Sequence, residues 1–148
     1  MKTISINASQ VVAAPLDKVW DIISDVDNDS KYYKGLYDIK NISKDGNKIE
    51  REVTVGFLRH KARQTIILNP KKSVEIRMTN GPIIGTRVTT LSQVDVGNAR
   101  IDVTWKFTPS GVPAFVHEMV KIEISNGTKE ALKKIANELE QKTGVEVL

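Results

Sequence analysis

The chain has 148 residues, 40% of them hydrophobic and 27% charged, with no cysteine and a formal net charge of +4. Such a length fits one domain, 1–148, with a sizeable core, and the composition excludes a disordered chain. The missing cysteines exclude disulfides, thiolate metal ligands and cysteine nucleophiles. The 22 basic and 18 acidic residues are spread along the chain, without the basic stripe and stacking aromatics that mark a nucleic-acid footprint, so DNA is not expected as a partner.

The first residues, "MKTISINASQVV", alternate Ile4, Ile6 and Ala8 with Thr3, Ser5 and Asn7. This predicts a strand, whereas a signal peptide needs a continuous apolar stretch. No run of about 18 apolar residues occurs anywhere, so no membrane-spanning helix is predicted. Together with the cysteine-free composition, this leads to an expected cytoplasmic location.

In "VVAAPLDKVWDIISDVDN" a helix starts at Pro15, whose missing N–H has no partner in a first turn anyway. Leu16, Val19, Trp20 and Ile23 follow at helical spacing, and Asp17 suits the positive end of the helix dipole. "DVDNDS" then supplies cap and turn residues, and "SKYYKGL" predicts a second short helix ended by Gly35.

From Tyr37 to about Pro109 the helical period disappears. Short β-rich runs predict six strands, at 37–43, 48–57, 60–69, 73–79, 83–94 and 98–108, joined by the turns "DGN", "NPKK", "NGP" and "VGN". Consecutive hairpins make antiparallel neighbours. In the last strand Ile101, Val103, Trp105 and Phe107 alternate with Arg100, Asp102, Thr104 and Lys106, which places one face in the core and one in water. Val74, Ile76 and Met78, and likewise Ile49, Val53 and Val55, define the same apolar side. A long helix is predicted from about Pro113 to Lys142, with "SNG" at 125–127 as a site for a kink. One stripe runs through His117, Val120, Ile124, Thr128, Leu132, Ile135, Ala136 and Leu139; this stripe should lie on the apolar side of the sheet.

The order of elements, and the opening strand, proline, aliphatic-Trp helix and Asp-rich break, resemble the START-like, Bet v 1-like helix-grip superfamily (SRPBCC). Its members include polyketide cyclase and aromatase domains, lipid-transfer domains and coenzyme Q-binding proteins. The resemblance implies an α+β fold: a seven-stranded curved antiparallel β-sheet wrapped around a long C-terminal α-helix, with two short helices between strands 1 and 2 and a cavity inside. Many relatives carry a Trp-Pro or Pro-x-Trp pair after the Asp-rich break; here Ser30, Lys31, Tyr32 and Tyr33 stand instead, which leaves the subfamily open. A curved sheet and a straight helix cannot close-pack along their whole length, and two Trp, three Tyr and three Phe are few rings to fill the gap.

The candidate cavity lining is therefore Arg51, Val53, Val55, Ile76, Met78, Val103, Trp105, Phe115, His117, Val120 and Ile124. Trp105, like Trp20, is a core residue by pattern and equally a cavity wall; Met78, Met119 and Phe115 are candidates for an adaptable lining or for ordinary packing. Arg51 shares the apolar face with Ile49, Val53 and Val55, where a charge needs a partner. It has three options: an acidic ligand group, an internal carboxylate, or the sheet edge and water. His117 is either a structural histidine or an acid–base group, and His60 faces solvent.

Catalytic and cofactor signatures are weak. The two histidines are far apart, no G-x-S-x-G turn occurs, and "NGPIIGT" lacks the lysine of a phosphate loop, so no catalytic residue, metal or cofactor is predicted. Three functions stay open. One is the binding, transport or chaperoning of a hydrophobic small molecule such as a lipid, isoprenoid or quinone. Another is a cyclase or aromatase with an acid–base group in the pocket, and a third is a module that binds a protein or ribosomal partner through an exposed apolar rim. Peripheral membrane contact and a monomeric or weakly dimeric state are expected with the first.

Overall fold

The computed structural model describes residues 3–56 and 59–142. Seven strands form one antiparallel sheet: β1 (Ile4–Val12), β2 (Leu36–Asp45), β3 (Lys48–Val55), β4 (His60–Asn69), β5 (Ser73–Met78), β6 (Ile83–Asp95) and β7 (Asn98–Pro109). Their spatial order is β1, β7, β6, β5, β4, β3, β2. Every connection from β2 to β7 is thus a hairpin, and only β1 pairs out of sequence. The sheet is open and curved, and the chain is α+β as expected. Residue 57, the expected end of the third strand, lies outside the described residues.

Between β1 and β2 lie helix α1 (Leu16–Ile23) and a 3-10 helix, Val26–Lys31. Pro15 occupies the N-cap of α1 in an extended conformation, one position before the first turn. The second helix is displaced from its expected place: the "DVDNDS" stretch itself coils, held by Asn28 N–H to Asp25 O and Tyr32 N–H to Asp29 O, so Tyr32 and Tyr33 follow the helix instead of forming it. Short polar side chains that favour turns also suit a 3-10 turn, which needs only i→i+3 bonds.

At the C-terminal end a 3-10 turn, Ala114–Val116, leads into α2 (His117–Lys142). The helix passes through Ser125–Gly127 without a break, so the expected kink is absent; flanking turns with good helix formers outweigh a single glycine, which costs only about 1 kcal/mol. α2 packs mainly along β1 and touches β7 and α1. Thr128, Ala131, Leu132, Ile135, Ala136 and Leu139 are buried there.

Strand register organises the concave face. Ile6, Trp105, Arg87, Ile76, Ile66 and Ile49 stand in one row across six strands, and Ile4, Phe107, Gly85, Met78, Gln64 and Arg51 in the next. Apart from Arg87, the first row joins Leu132, Ile135, Ala136 and Leu139 in the main core. A smaller cluster, Leu36, Val53 and Ala62, sits at the β2 end of the sheet. Each fully buried Ile or Leu contributes about 1.5–3 kcal/mol of transfer free energy, so the shared inward face of sheet and helix is what holds the fold.

Candidate functional site

The two rows are apolar except where Arg51, Gln64 and Arg87 interrupt them. Alternation along β3 turns Arg51 inward beside Ile49 and Val53, and the β3–β4 register sets Gln64 opposite it. The 3-10 helix then crosses over this end of the sheet. As a result Arg51, 0% exposed, donates from Nε to Gln64 Oε1 at 2.9 Å, from Nη1 to the Val26 carbonyl at 2.8 Å and from Nη2 to Asp29 Oδ2 at 3.0 Å. Burial lowers the Arg51 pKa and the Asp29 charge pushes it back up. Of the three options open to Arg51, the internal carboxylate is the one realised. All three guanidinium nitrogens have protein partners, so Arg51 ties the 3-10 helix to the sheet.

Arg87 is the second buried cation, and the sequence reading missed it. Its Nη2 reaches the same Asp29 Oδ2 at 3.5 Å, and its guanidinium lies over the Tyr33 ring at 4.1 Å and the Trp105 ring at 5.5 Å. Its Nε is buried without a hydrogen-bond partner. The surrounding alternation hid it: on β6, Ile83, Gly85, Arg87, Thr89 and Leu91 share the inward face, while Ile84 and Val88 lie on the other, so both faces mix polar and apolar residues. Asp29 was hidden for a different reason, since its turn-forming neighbours explain it as surface chemistry.

Beside Arg87 lies a void of about 20 Å³. α1 contributes Ile22 and Ile23 to its wall, the 3-10 helix and the residues after it Asp29, Tyr32 and Tyr33. The sheet adds Val74, Arg87, Thr89 and Ile101, and α2 adds Leu132 and Ile135. Pockets that take drug-sized ligands measure about 300–1,000 Å³, so this void holds a water-sized or small ionic group only. At its wall Tyr32 donates to Glu138 Oε2 at 3.0 Å, and Lys31 pairs with the other oxygen of Glu138 at 2.5 Å. Burial pushes the phenols of both tyrosines above their ordinary value; at Tyr33 the Arg87 charge opposes this.

None of the eleven expected lining residues borders that void. Ile76, Met78, Val103 and Trp105 are buried in the main core, where Trp105 donates from Nε1 to Thr128 Oγ1 at 2.9 Å. Val53 and Val55 belong with the smaller cluster. Val120 and Ile124 pack against the core while still partly exposed. The inward facing expected of Phe115 is corrected: it is 84% exposed, because it stands two residues before His117 and so lies off the inward stripe. Met119 is likewise exposed. His117 is partly buried, with Nε2 3.3 Å from the Val112 carbonyl, which ties it to its own loop and not to the Arg51–Asp29–Arg87 cluster. Among the described residues no three His, Asp or Glu side chains are placed to hold a metal ion, and no helix is long and apolar enough to cross a membrane.

A curved antiparallel sheet wrapped around a long C-terminal helix, with two short helices after the first strand, defines a helix-grip protein. The chain belongs to the polyketide cyclase/dehydrase and lipid transport family, whose sequence model matches residues 3–140. The Zhui aromatase/cyclase of a Streptomyces species superposes with a TM-score of 0.84 at 13% identity, covering 96% of each chain. A Thermus thermophilus protein gives 0.78 at 12% identity, over 95% of this chain and 99% of that one. Norcoclaurine synthase of Thalictrum flavum gives 0.72 at 18% identity, over 96% and 97%. At these identities the likeness establishes the fold. No curated relative matches the chain in sequence at a significant level.

Proposed function

We propose that the protein binds a hydrophobic small molecule of the lipid, isoprenoid or quinone class between the concave sheet face and α2. One observation carries this reading. The inward stripe of α2 is fully buried at Ala131, Leu132, Ile135, Ala136 and Leu139, yet partly exposed at His117, Val120 and Ile124. A helix that merely completed a core would be sealed along its whole apolar stripe, whereas an apolar stripe left open at one end is the geometry of a ligand entrance. Burial of an apolar ligand there contributes about 25 cal/mol per Å² before ordering costs.

Native mass spectrometry of the protein purified from its own host, followed by denaturing extraction, tests the proposal. A stoichiometric apolar adduct is expected, and Val120→Arg, which sets a charge in the entrance of an otherwise intact fold, should abolish it. A protein that is empty, and that takes up no added fatty alcohol or quinone, would sink the proposal.

A second reading, catalysis of the cyclase or aromatase type, draws support from the family and from the titratable groups Tyr33 and Asp29 at the void. Such an enzyme needs an internal acid or base. On this reading Tyr33→Phe lowers turnover of an aromatic polyketide-like substrate at least 100-fold with little change in its affinity, while His117→Ala does not. Loss of affinity in parallel with turnover would assign Tyr33 to binding alone.

A further inference from the structure

We infer that the void beside Arg87 is a carboxylate site, which takes the acidic head of an amphiphilic ligand whose hydrocarbon lies along the concave face; this deepens the binding function proposed above. The first ground is an unused donor. The Arg87 side chain is only 9% exposed, it lines the void, and its Nε–H has no partner. A buried donor left unpaired is costly, so an acceptor that meets it from this void gains that hydrogen bond in addition to its attraction to the cation.

The second ground is charge. Asp29 faces two guanidiniums and cannot serve both equally: it stands 3.0 Å from Arg51 and 3.5 Å from Arg87, the latter at the limit of a hydrogen bond. The other charged groups near the cluster lie at the surface, where water screens them. Lys31 pairs with Glu138, and Asp27, which also acts on Arg51, is exposed and accepts from Asn41 at 2.9 Å. Two buried cations against one carboxylate leave a single positive charge in the interior, which a monoanion neutralises and a dianion would overshoot.

The third ground is shape. The Tyr33 and Trp105 rings hold the guanidinium plane, and a planar carboxylate pairs with guanidinium edge to edge. The Thr89 and Tyr33 side chains line the same void and offer hydroxyl donors. Ile101 and Leu132 form part of its apolar wall, where the first carbons of a chain pack.

The test uses the full chain, 15N-labelled, with the Arg87 Nε–Hε resonance followed by NMR during titration with acetate, decanoate and decanol. Acetate should shift this resonance saturably, and decanoate should do so at a concentration at least 10-fold lower. Arg87→Lys, which keeps the charge and removes the Nε–H, should weaken decanoate at least 10-fold and leave decanol unchanged. If acetate and decanoate both leave the Nε resonance in place, a water alone occupies the void and the carboxylate site is overturned. If decanoate and decanol bind equally and neither moves it, the head-group site falls and the hydrophobic-ligand reading stands. If acetate moves it and decanoate binds no tighter than acetate, the anion site stands and the hydrophobic-ligand reading falls.

Discussion

Arg51 and Arg87 are chemically identical side chains on one concave face, and their surroundings give them different work. Arg51 has a neutral acceptor, a backbone carbonyl and a carboxylate within 3.0 Å; Arg87 has two aromatic faces and a distant share of the same carboxylate. Removing the Asp29 charge should therefore be the costliest change in the cluster. Asp29→Asn is expected to destabilise by about 3–5 kcal/mol in urea unfolding, since it leaves two buried guanidiniums without a counter-charge. Arg51→Met is expected to cost less, because Asp29 retains Arg87; the reverse ranking would show that the two arginines do not share Asp29. Tyr33 supplies the pH dependence. Burial holds its phenol above the ordinary value of 10.0, so the folded state keeps a proton that the unfolded state loses. That contribution to stability is complete below the unfolded value and is lost as pH rises toward the folded one. The urea midpoint should fall between about pH 9 and pH 11, and the fall should be shallower in Tyr33→Phe.

At the level of elements, the sheet and α2 are joined by few polar contacts, and the chief one is Trp105 Nε1–H to Thr128 Oγ1, whose hydroxyl in turn donates to the Ile124 carbonyl. Thr128→Val keeps the volume and strands the indole N–H, at an expected cost of about 1–3 kcal/mol, whereas Thr128→Ser should recover most of the loss in the same denaturation assay. Gly85 matters for the sheet itself. It occupies the inward row between Met78 and Phe107 at φ +155, and a Cβ there would stand 2.0 Å from the Lys106 carbonyl oxygen and 2.6 Å from the Phe107 Cα. Backbone cannot yield as a side chain does, so Gly85→Ala is expected to abolish cooperative unfolding; a variant within about 1 kcal/mol of the parent would contradict the close approach of β6 to β7. A glycine inside a strand marks such approaches and sharp bends.

For the whole molecule the consequence is a gradient along α2. Its C-terminal half is sealed against β1 and the core, and its N-terminal half carries Met119 and Ile122 exposed on the outside, with Phe115 exposed in the turn ahead of it, and Val120 and Ile124 partly exposed within. Amide hydrogen exchange should accordingly be faster over 117–127 than over 128–141, because local opening tracks the number of buried apolar contacts. An apolar ligand should slow the first segment selectively. Uniform protection along the helix would remove the argument for an entrance at that end.

How much of this was legible in the sequence depends on periodicity. The alternation of Ile101, Val103, Trp105 and Phe107, and the helical stripe from Thr128 to Leu139, determined the strands, the long helix and their apolar faces, because a period of two or of 3.6 is a property of the local backbone. The same alternation exposed Arg51 as a charge on the wrong side. What periodicity cannot carry is the identity of a partner distant in sequence. Asp29 lies 22 residues from Arg51 and 58 from Arg87, and only the crossing of the 3-10 helix over the sheet brings the three together. Phe115 shows the same limit at shorter range: it was expected in the lining although it stands two residues before His117, off the inward stripe and in line with the exposed Met119. The apolar grip was thus written in local pattern, while its charged centre was decided by tertiary structure, where burial raises the cost of every unpaired charge and so dictates which distant groups must meet.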